Sequence, residues 1–567
     1  MRHLLLSCIF GLGLALMLLA LLGRWLPTQA HPAATTRYVA TDGNDTGDCA
    51  TIGGRCRTIQ YAVNVATPFD EIWVGGGTYT GTGPEVVSVT MSIALLGGWD
   101  GVSVGVRDPA AYPTILDGEN ARRVILITKM VSPTVDGFVI ARGNAASAPF
   151  NAGKGGGIHI NRASPLIANN VITSNVAYTS ASNAGYGGGI YIASPMGATV
   201  ITGNQVLFNV ANTASTGYGG GLYIDGGSAN QVVNNVVLSN TASITGGAGY
   251  GGGVGFSSSP NAMVIGNRVE GNIAQGGTAT SFASRGGGIY CQANVSATIG
   301  GNIIQYNIAS VLSYGTGGGV GGSYCHRLAV VDNVLQGNIG SASLTEAEGR
   351  GGALGVYFSH DLWLDANWVL SNTASYGPWG YGGGLYLSRD TSFTMTNNIV
   401  AANHASYQGG GLAFQTMTGE PVTGVLAHNT FAANDQGGGD GRIAIFLNDD
   451  RVTLALTNNL IYSHTYGLYA TTGSTATLDH TLFYGNASGD TGGSGLVVQT
   501  SSITGQHPLL SADYHLLQGS PAINAGVAIP WIVTDIDGQS RPEGAAPDIG
   551  ADEYREWRIF LPLILRQ

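Results

Sequence analysis

The stretch that decides the fold is residues 185–216, "GYGGGIYIASPMGATVITGNQVLFNVANTAST", which is followed at once by residues 217–248, "GYGGGLYIDGGSANQVVNNVVLSNTASITGGA". The two stretches have the same length, and each opens with a tyrosine and a glycine triplet. Asparagines stand at matching positions in the second half of each stretch. A pattern that recurs at constant length is typical of a repeat architecture, in which each unit adopts the same local structure.

The repeat extends far beyond these two units. Glycine triplets or near-triplets begin at positions 155, 187, 219, 251, 286, 317, 351, 382 and 409, at steps of about 32 residues. A second marker, Asn-x-apolar-x-x-Asn, stays in phase with the glycines. The first asparagines of its nine copies are Asn170, Asn204, Asn235, Asn267, Asn302, Asn333, Asn367, Asn398 and Asn429. Two markers that keep step over so many copies establish a solenoid-like array.

The content of each unit indicates which solenoid it forms. Short β-branched runs such as "GGIYI", "ATVIT" and "NQVLFN" alternate with Gly, Asn, Ser and Pro, a pattern that indicates strands and turns. Apolar spacing of the helical kind is missing within a unit, and a propeller blade needs about 40 residues. The sequence therefore predicts an all-β, single-stranded parallel β-helix of about a dozen coils, with three short strands per coil spaced about 4.8 Å from their neighbours.

The two markers have physical reasons in such a coil. Asn tolerates the left-handed backbone of a tight bend, and stacked Asn amides can donate and accept along a ladder. Glycine at the opposite bend supplies positive φ and permits close approach of neighbouring coils. The remaining residues of each unit predict one loop per coil, all emerging from the same edge. Loops on one edge of a solenoid are a common place for function.

Composition narrows the class of protein. The chain has 567 residues, with 90 glycines, 44% hydrophobic residues, 10% charged residues and a formal net charge of −11. This hydrophobic content argues against a disordered chain. Lys129 and Lys154 are the only lysines, so no basic patch for nucleic acid is available and nucleic-acid binding is excluded as a function.

The N-terminus predicts export. Arg2, the apolar run Leu4 to Leu22 and the small-residue site that ends at Ala30 fit a signal peptide over residues 1–30, cleaved or retained as an anchor. Because export permits disulfides, Cys49 and Cys56 are predicted to close a short loop, whereas the pairing of Cys291 with Cys325 stays open. None of these cysteines has the spacing of a zinc site.

The ends of the array break the repeat. We expect an N-terminal cap and the first coils over residues 37–150, with a short amphipathic helix in "CRTIQYAVNVA", and regular repeats over residues 151–500. Residues 501–554 are rich in Asp-Gly and Pro turns and are predicted to form a C-terminal cap. Terminal caps shield the open core of repeat proteins. Residues 555–567 form a short tail that could serve as a sorting or anchoring signal.

Both ends also resemble known proteins. The segments "YVATDGNDTGDCATIGGRCRTIQYAVNVA" and "DEIWVGGGTYTG" resemble the opening of exported bacterial right-handed parallel β-helix proteins of the pectin-lyase-like superfamily, including relatives of the polymorphic outer membrane proteins. "GSPAINAG" and "TDIDGQSRPEGAAPDIGADEY" resemble the choice-of-anchor Q domain, and "WRIFLPLILRQ" is similar to tails of exported proteins from filamentous green non-sulfur bacteria. The resemblance implies a secreted or surface-displayed right-handed β-helix. It implies no activity, since this superfamily holds enzymes and non-catalytic proteins.

Enzymes of this fold need groups that are hard to find here. Calcium-dependent lyases need several carboxylates and a basic residue, and hydrolases need paired aspartates with the motifs Asn-Thr-Asp, Asp-Asp, His-Gly and Arg-Ile-Lys. That set of motifs is missing, and acidic residues are sparse over residues 155–345. The remaining catalytic candidates are Asp435, Asp440, Arg442, Asp449 and Asp450. Their preferred interpretation is solvated turn residues.

A row of aromatic residues suits ligand binding better. His159, Tyr191, Tyr223, Tyr290 and Tyr386 hold the second strand position after the glycines, between apolar neighbours, so alternation directs them away from the core. Tyr186, Tyr218, Tyr250 and Tyr381 are expected to line the adjacent loop edge. If exposed, such rows could stack on sugar rings; the alternative is that they stack on one another and shield the sheet.

The sequence predicts no cofactor, with Ca²⁺ as the alternative. The C-terminal carboxylates Asp535, Asp537, Asp548, Asp552 and Glu553 could hold Ca²⁺, but Asx turns explain the Asp-Gly steps without a metal and are preferred. The sequence favours an exported, non-catalytic surface or extracellular β-helix with a structural, adhesive or glycan-contacting role. The alternative is a lyase or hydrolase that acts on acidic polysaccharide. The expected partner is an extracellular polysaccharide or cell-surface glycan, and membrane contact is expected only through the chain termini.

Overall fold

The computed structural model of the chain describes residues 34–277, 284–345, 347–389, 391–415, 420–434, 442–448 and 451–555. Over these residues the chain winds into the predicted parallel β-helix. In the quoted repeat, Ile190 pairs with Leu222, Val200 with Gln231 and Gln205 with Val236, each residue lying over its counterpart one coil away. The predicted signal peptide, residues 1–30, lies outside the described residues.

Three long sheets run the length of the helix, and each coil contributes one strand to each sheet. Within the described ranges, sheet A has 16 strands, sheet B has 15 and sheet C has 14. Sheet A comprises Thr36–Val39, Glu71–Gly75, Ala94–Trp99, Thr134–Asp136, Leu166–Ala168, Val200–Thr202, Gln231–Val233, Met263–Ile265, Thr298–Gly300, Ala329–Val331, Leu362–Asp365, Thr391–Thr396, Val422–Ala427, Val452–Thr457, Thr475–Asp479 and Leu496–Thr500. Sheet B comprises Gly77–Thr80, Thr114–Asp117, Phe138–Ala141, Val171–Thr173, Gln205–Leu207, Val236–Leu238, Arg268–Glu270, Ile303–Gln305, Val334–Gln336, Trp368–Leu370, Ile399–Ala401, Thr430–Ala432, Leu460–Tyr462, Leu482–Tyr484 and Ile503–Thr504. Sheet C comprises Glu85–Val89, Arg123–Thr128, Ile158–Asn161, Ile190–Ala193, Leu222–Asp225, Val254–Ser257, Ile289–Val295, Val320–His326, Leu354–Tyr357, Leu385–Ser388, Leu412–Gln415, Ile443–Asn448, Tyr466–Ala470 and Gly489–Gly493.

The predicted loops of the middle coils are themselves ordered into two narrower sheets, which we call the arms. Each arm sheet has seven strands among the residues described. Arm sheet D comprises Val176–Tyr178, Val210–Asn212, Thr241–Ser243, Ile273–Gln275, Ile308–Ser310, Ile339–Ser341 and Thr373–Ser375. Arm sheet E comprises Gly185–Tyr186, Gly217–Tyr218, Gly249–Tyr250, Ser284–Arg285, Gly315–Thr316, Gly349–Arg350 and Gly380–Tyr381.

The interior of the helix is a continuous apolar core. Ile190 and Ile192 of sheet C, Ile201 of sheet A and Val206 of sheet B are fully buried and meet at the centre of one coil. Like residues repeat in the neighbouring coils, so the core extends along the whole rod. Burial of one such side chain contributes about 1.5–3 kcal/mol, which explains how a chain with few charges holds this shape.

Asparagine ladders hold the bends on both sides of sheet B. From Asn170 onward, the Nδ2 of each marker asparagine donates to the Oδ1 of the next at 2.9 or 3.0 Å, and the ladder ends at Asn459. The second asparagines of the motif build a parallel ladder from Asn175 to Asn434, and His464 takes the next place. Only the first of these rows was predicted from the sequence.

The N-terminal end is closed as expected. The helix Ile59–Val65 buries Ile59, Ala62 and Val63 against the first coils, and Thr58 accepts a hydrogen bond from the backbone of Tyr61 as its N-cap. The predicted Cys49–Cys56 disulfide is present, and Cys291 is bonded to Cys325 of the next coil. Among the described residues, no helix combines the length and apolar character needed to cross a membrane.

The C-terminal segment packs against the side of the rod. We call residues 505–555 the C-terminal module; it lies along the outer face of sheet B beside the last coils. Its Ile536 and Ala551 pack with Ile399 and Ala432, and its Ile549 packs with a further apolar group that includes Leu460 and Leu482. Outer-face residues of sheet B are buried in these coils, whereas Gln205, Arg268 and Ile303 at the same position in earlier coils are exposed.

Candidate ligand-binding surface

The predicted binding residues of sheet C form one row, which we call the inner row. His159 pairs with Tyr191 and Tyr191 with Tyr223, and Tyr290 and Tyr386 continue the row further along. They point away from the core, as alternation predicted. Their exposed fractions are nevertheless only 0 to 4%. The condition under which this row could stack on sugar rings, exposure to solvent, is therefore not met.

The arms explain the burial of the inner row. Register places Lys154, Tyr186, Tyr218, Tyr250, Arg285, Thr316, Arg350 and Tyr381 one above another on arm sheet E, and we call them the outer row. Tyr186, Tyr218 and Tyr250 stack face to face at 4.9 and 4.8 Å between ring centroids. The ring of Tyr218 also lies 5.5 Å from that of Tyr223. The outer row thus covers the inner one, and aromatic contact of this kind stabilises the arm on the sheet.

His159, at the start of the inner row, is enclosed by rings. Its imidazole stacks on Phe150 at 5.6 Å and lies 5.3 Å from Tyr191, and neither of its ring nitrogens has a hydrogen-bond partner. Burial, with Arg123 and Lys154 nearby, lowers the pKa of His159 to about 2. This histidine is therefore neutral at any physiological pH and serves as a packed ring.

Solvent meets the arms at a second set of aromatics, which we call the aromatic strip: Tyr314, Tyr376, Trp379 and Tyr407. Their exposed fractions are 40, 52, 41 and 37%. Tyr314 and Trp379 precede the register-matched Gly315 and Gly380 two coils apart, which corresponds to about 10 Å along the rod. The rings of Trp379 and Tyr407 meet edge to face at 5.0 Å. The strip therefore offers rigid, partly open ring surfaces at the end of the outer row.

A shallow pocket adjoins the strip. Its lining residues are Tyr314, Gly315, Thr316, Glu348 and Arg350. Glu348 accepts a hydrogen bond from the Nε of Arg350 at 2.5 Å, and the Arg350 guanidinium lies 5.5 Å over the ring of Tyr386. Both charged side chains keep about a fifth of their surface exposed. The pocket can thus offer a carboxylate and a guanidinium beside aromatic rings.

Four of the five predicted catalytic residues, Asp435, Asp440, Asp449 and Asp450, lie outside the described residues. Arg442 stands just before the strand Ile443–Asn448, where its carbonyl accepts a hydrogen bond from the amide of Thr465 at 2.8 Å. Their roles stay a prediction.

Three of the C-terminal carboxylates suggested for Ca²⁺ are engaged in hydrogen bonds within the module. Glu553 accepts a hydrogen bond from the guanidinium of Arg541 at 2.8 Å, and Asp535 accepts hydrogen bonds from the backbone amides of Gln539 and Glu553. Asp548 accepts from the amide of Asn524. Asp537 and Asp552 lie beside His515, a residue that was not among the predicted Ca²⁺ ligands.

Only the part of the strip around Trp379 could have been predicted from the sequence. Tyr376, Trp379 and Tyr381 all lie in "ASYGPWGYGGG", the bulkiest of the predicted loops. A large aromatic in a loop that is longer than the coil requires indicates exposure better than alternation within a strand does. Tyr314 and Tyr407 carried no comparable signal, because their exposure depends on the arm geometry.

One family model and several solved structures are similar to parts or most of this chain. A family model described as a protein of unknown function, DUF1565, matches residues 41–253. No curated protein matches the chain's sequence. Similar solved structures include XylC with xylose, at 10% identity and TM-score 0.37 over 91% of this chain and 98% of the other. Pectate lyase Pel9A matches at 13% identity and TM-score 0.32 over 93% and 98%.

A further similar structure is the catalytic unit of a GH87 alpha-1,3-glucanase from Streptomyces thermodiastaticus, at 12% identity and TM-score 0.38 over 84% of this chain and 70% of that one. Likenesses of this size say nothing about the activity of this chain. What the coordinates and the family match establish together is a parallel β-helix whose N-terminal part, residues 41–253, is similar to a family without an assigned function.

Proposed function

We propose that this chain is an exported, non-catalytic β-helix that binds polysaccharide at its aromatic strip. The observation that carries the proposal is the set of partly exposed rings of Tyr314, Tyr376, Trp379 and Tyr407 on a regular, rigid frame. Aromatic rings present a flat apolar surface together with a polar edge, a combination that suits the apolar faces and hydroxyls of sugars. Because the frame is already ordered, little conformational entropy is lost on binding.

A binding role fits the pocket better than catalysis does. Of the five described residues that line it, Glu348 alone carries a carboxylate, and that carboxylate is held by Arg350. Glycoside hydrolysis usually needs two carboxyl groups, about 5 to 9.5 Å apart across the scissile bond. Export is supported by two disulfides, which form in oxidising compartments. We further propose that residues 501–554 act as a choice-of-anchor Q-like module and that the chain is displayed outside the cell.

The test compares two tryptophans with equal exposure. Trp379 in the strip and Trp363 on sheet A are each 41% exposed, so loss of either ring removes a similar apolar area. We expect Trp379→Ala to lower affinity for a polysaccharide ligand at least about tenfold, about 1.4 kcal/mol, and Trp363→Ala to leave it unchanged. Affinity electrophoresis through gels containing neutral and acidic polysaccharides measures both variants against the native chain.

Retention that survives Trp379→Ala, or that falls equally in both variants, would exclude the strip as the binding surface. The same polysaccharides incubated with the chain, with and without Ca²⁺, test the enzymatic alternative. Unsaturated or reducing ends that appear at a rate above the buffer control would replace the binding proposal by a lyase or hydrolase.

A further inference from the structure

A histidine and two aspartates converge at the edge of the C-terminal module, where the module meets the rod. Ligand atoms of His515, Asp537 and Asp552 all lie within 4.8 Å of one another. The three residues come from separate segments of the module, and the imidazole of His515 lies 5.4 Å from the ring of Trp368 on sheet B. Asp552 is buried, His515 is half-buried and Asp537 is exposed, so the cluster opens to solvent on one side.

The two nitrogens of His515 have different surroundings. Nε2 lies 2.9 Å from an Asp537 oxygen and faces the cluster, while Nδ1 lies 3.3 Å from a carboxylate oxygen of Asp513. A histidine that ligates a metal usually donates its other N–H to a carboxylate, which fixes the tautomer and the orientation of the ring. Asp513 is placed to accept that proton and leave the Nε2 lone pair for an ion.

The buried carboxylate is prepared in the same way. One oxygen of Asp552 accepts the backbone amide of Leu516 at 2.7 Å, which holds the group in place beside the histidine. Asp513, Asp537 and Asp552 place three carboxylates around one imidazole, an excess of negative charge that a cation would balance.

We propose that His515, Asp537 and Asp552 bind a divalent transition-metal ion, with Zn²⁺ as the best match. Zn²⁺ binds both imidazole nitrogen and carboxylate oxygen, and three protein ligands leave a fourth position for water. Ca²⁺ instead requires six to eight oxygens. Ligand atoms around Zn²⁺ are about 3.3 Å apart, given bonds of about 2.0 to 2.2 Å, so small side-chain rotations bring this set into place.

A bound ion would fasten three segments of the module beside the rod. Because the ligands are 22 and 15 residues apart along the chain (515 to 537, and 537 to 552), the ion would cross-link loops that otherwise rely on turns. Binding to the folded chain alone raises its apparent stability as the concentration of free ion rises. Metal binding and thermal stability can therefore be measured independently of any activity.

The experiment titrates the chelator-treated full-length chain with Zn²⁺ by calorimetry, and with Co²⁺ by visible absorption. We expect one Zn²⁺ per chain, a rise in melting temperature with Zn²⁺ and a tetrahedral Co²⁺ spectrum. Asp537→Asn and His515→Ala are each expected to lower the affinity for Zn²⁺ by at least a factor of 100. Asp513→Asn tests the positioning role and is expected to cost a factor of 10 to 100. His507→Ala, an exposed histidine of the same module, is the matched control.

The proposal fails if no Zn²⁺ binds, if Ca²⁺ binds more tightly than Zn²⁺, or if Asp537→Asn binds Zn²⁺ as the native chain does. Since Asp537 is exposed, its replacement leaves the fold intact and keeps the test decisive should His515→Ala prove unstable. A fall in Zn²⁺ affinity in His507→Ala equal to that in His515→Ala would also overturn the assignment.

Discussion

At the residue scale, each ladder asparagine satisfies its hydrogen bonds inside the protein. The Nδ2 of Asn267 donates to the carbonyl of Val232 at 2.8 Å and to Asn302 at 3.0 Å, and its Oδ1 accepts from the backbone and the side chain of Asn235. Buried polar groups cost free energy unless they are paired in this way. The recurring motif made the first row predictable, and the same argument applied to its second asparagine would have given the second row.

Replacement of one ladder residue tests this account. Asn267→Ala leaves the backbone amide of Asn235 without its acceptor and removes the side-chain donor from the Oδ1 of Asn302, and an orphaned buried group costs about 1 to 3 kcal/mol. We expect the free energy of unfolding to fall by about 1 to 3 kcal/mol, measured by urea denaturation followed by circular dichroism.

The control for the ladder is Asn183→Ala, because the side chain of Asn183 is exposed on an arm and makes only long contacts near 3.4 Å. We expect this change to alter the stability by less than about 0.5 kcal/mol. Equal losses in Asn183→Ala and Asn267→Ala would contradict a special role for the ladder.

At the scale of elements, the arms explain why the inner row is buried. Alternation along Ile190–Ala193 correctly placed Tyr191 on the outer side of sheet C, but alternation does not say what covers that side. The covering strands are two or three residues long, as in Gly185–Tyr186, too short to show a period in the sequence. The exposed strip and the histidine cluster also depend on contacts between distant segments, which a single sequence does not display.

The attachment of the C-terminal module is a second matter of elements. Arg541 is buried, and it donates to Glu553 at 2.8 Å, to the carbonyl of Asp548 at 2.9 Å and to that of Ala551 at 2.9 Å. The same guanidinium reaches His428 of the rod. A buried ion pair contributes little by itself, but removal of one partner leaves an uncompensated charge. Arg541 therefore contacts both the module and the rod, and is one of the residues that join them.

We predict that Arg541→Met loosens the module without unfolding the rod. The stranded Glu553 carboxylate is expected to cost about 3 to 5 kcal/mol of local stability. Hydrogen exchange should show faster exchange over residues 520–555, with unchanged protection in the middle coils. Arg555→Met removes an exposed pair with Glu543 at 3.2 Å and is expected to change neither region. Unchanged exchange in Arg541→Met would show that the other contacts, such as the hydrogen bonds between Asn458 and Val527, hold the module without Arg541.

At the scale of the whole molecule, buried neutral histidines couple stability to pH. Burial, before any other cause, lowers the pKa of His159 to about 2 and that of His464 to about 3, and it lowers the pKa of His428 well below its usual range. In the unfolded chain each histidine takes up a proton near pH 6.5, whereas the folded chain cannot. These three groups therefore cause the free energy of unfolding to fall as the pH drops below about 6.5.

The contribution of one of them can be isolated. Protonation of His159 in the unfolded chain lowers the free energy of unfolding by about 2 kcal/mol at pH 5 relative to pH 7.5, given about 1.4 kcal/mol for each pH unit below 6.5. We expect His159→Phe, which keeps a ring between Phe150 and Tyr191, to lose about 2 kcal/mol less than the native chain between these two pH values. Urea unfolding at both values measures it, with the exposed His507→Phe as the control. A pH dependence identical to that of the native chain would mean that the His159 site accepts a proton.

The overall architecture was the most predictable level, since periodic markers report on every coil at once. The packing of the C-terminal module was less so: its apolar footing, Ile399, Ala432 and Leu460, is spread over three coils and looks like ordinary strand sequence in each. The sequence of sheet B therefore does not indicate that its outer face is covered over the last coils.

The final coil has a consequence for how such rods can coexist. Register aligns Gln499 with the buried Leu478 and Thr491 with the buried Leu468, and a 3.1 Å hydrogen bond joins the two polar side chains. If leucines stood at these positions in the last coil, a second molecule could stack on it through apolar contacts. Stacking on Gln499 and Thr491 would instead desolvate an amide and a hydroxyl, which disfavours end-to-end association of two rods.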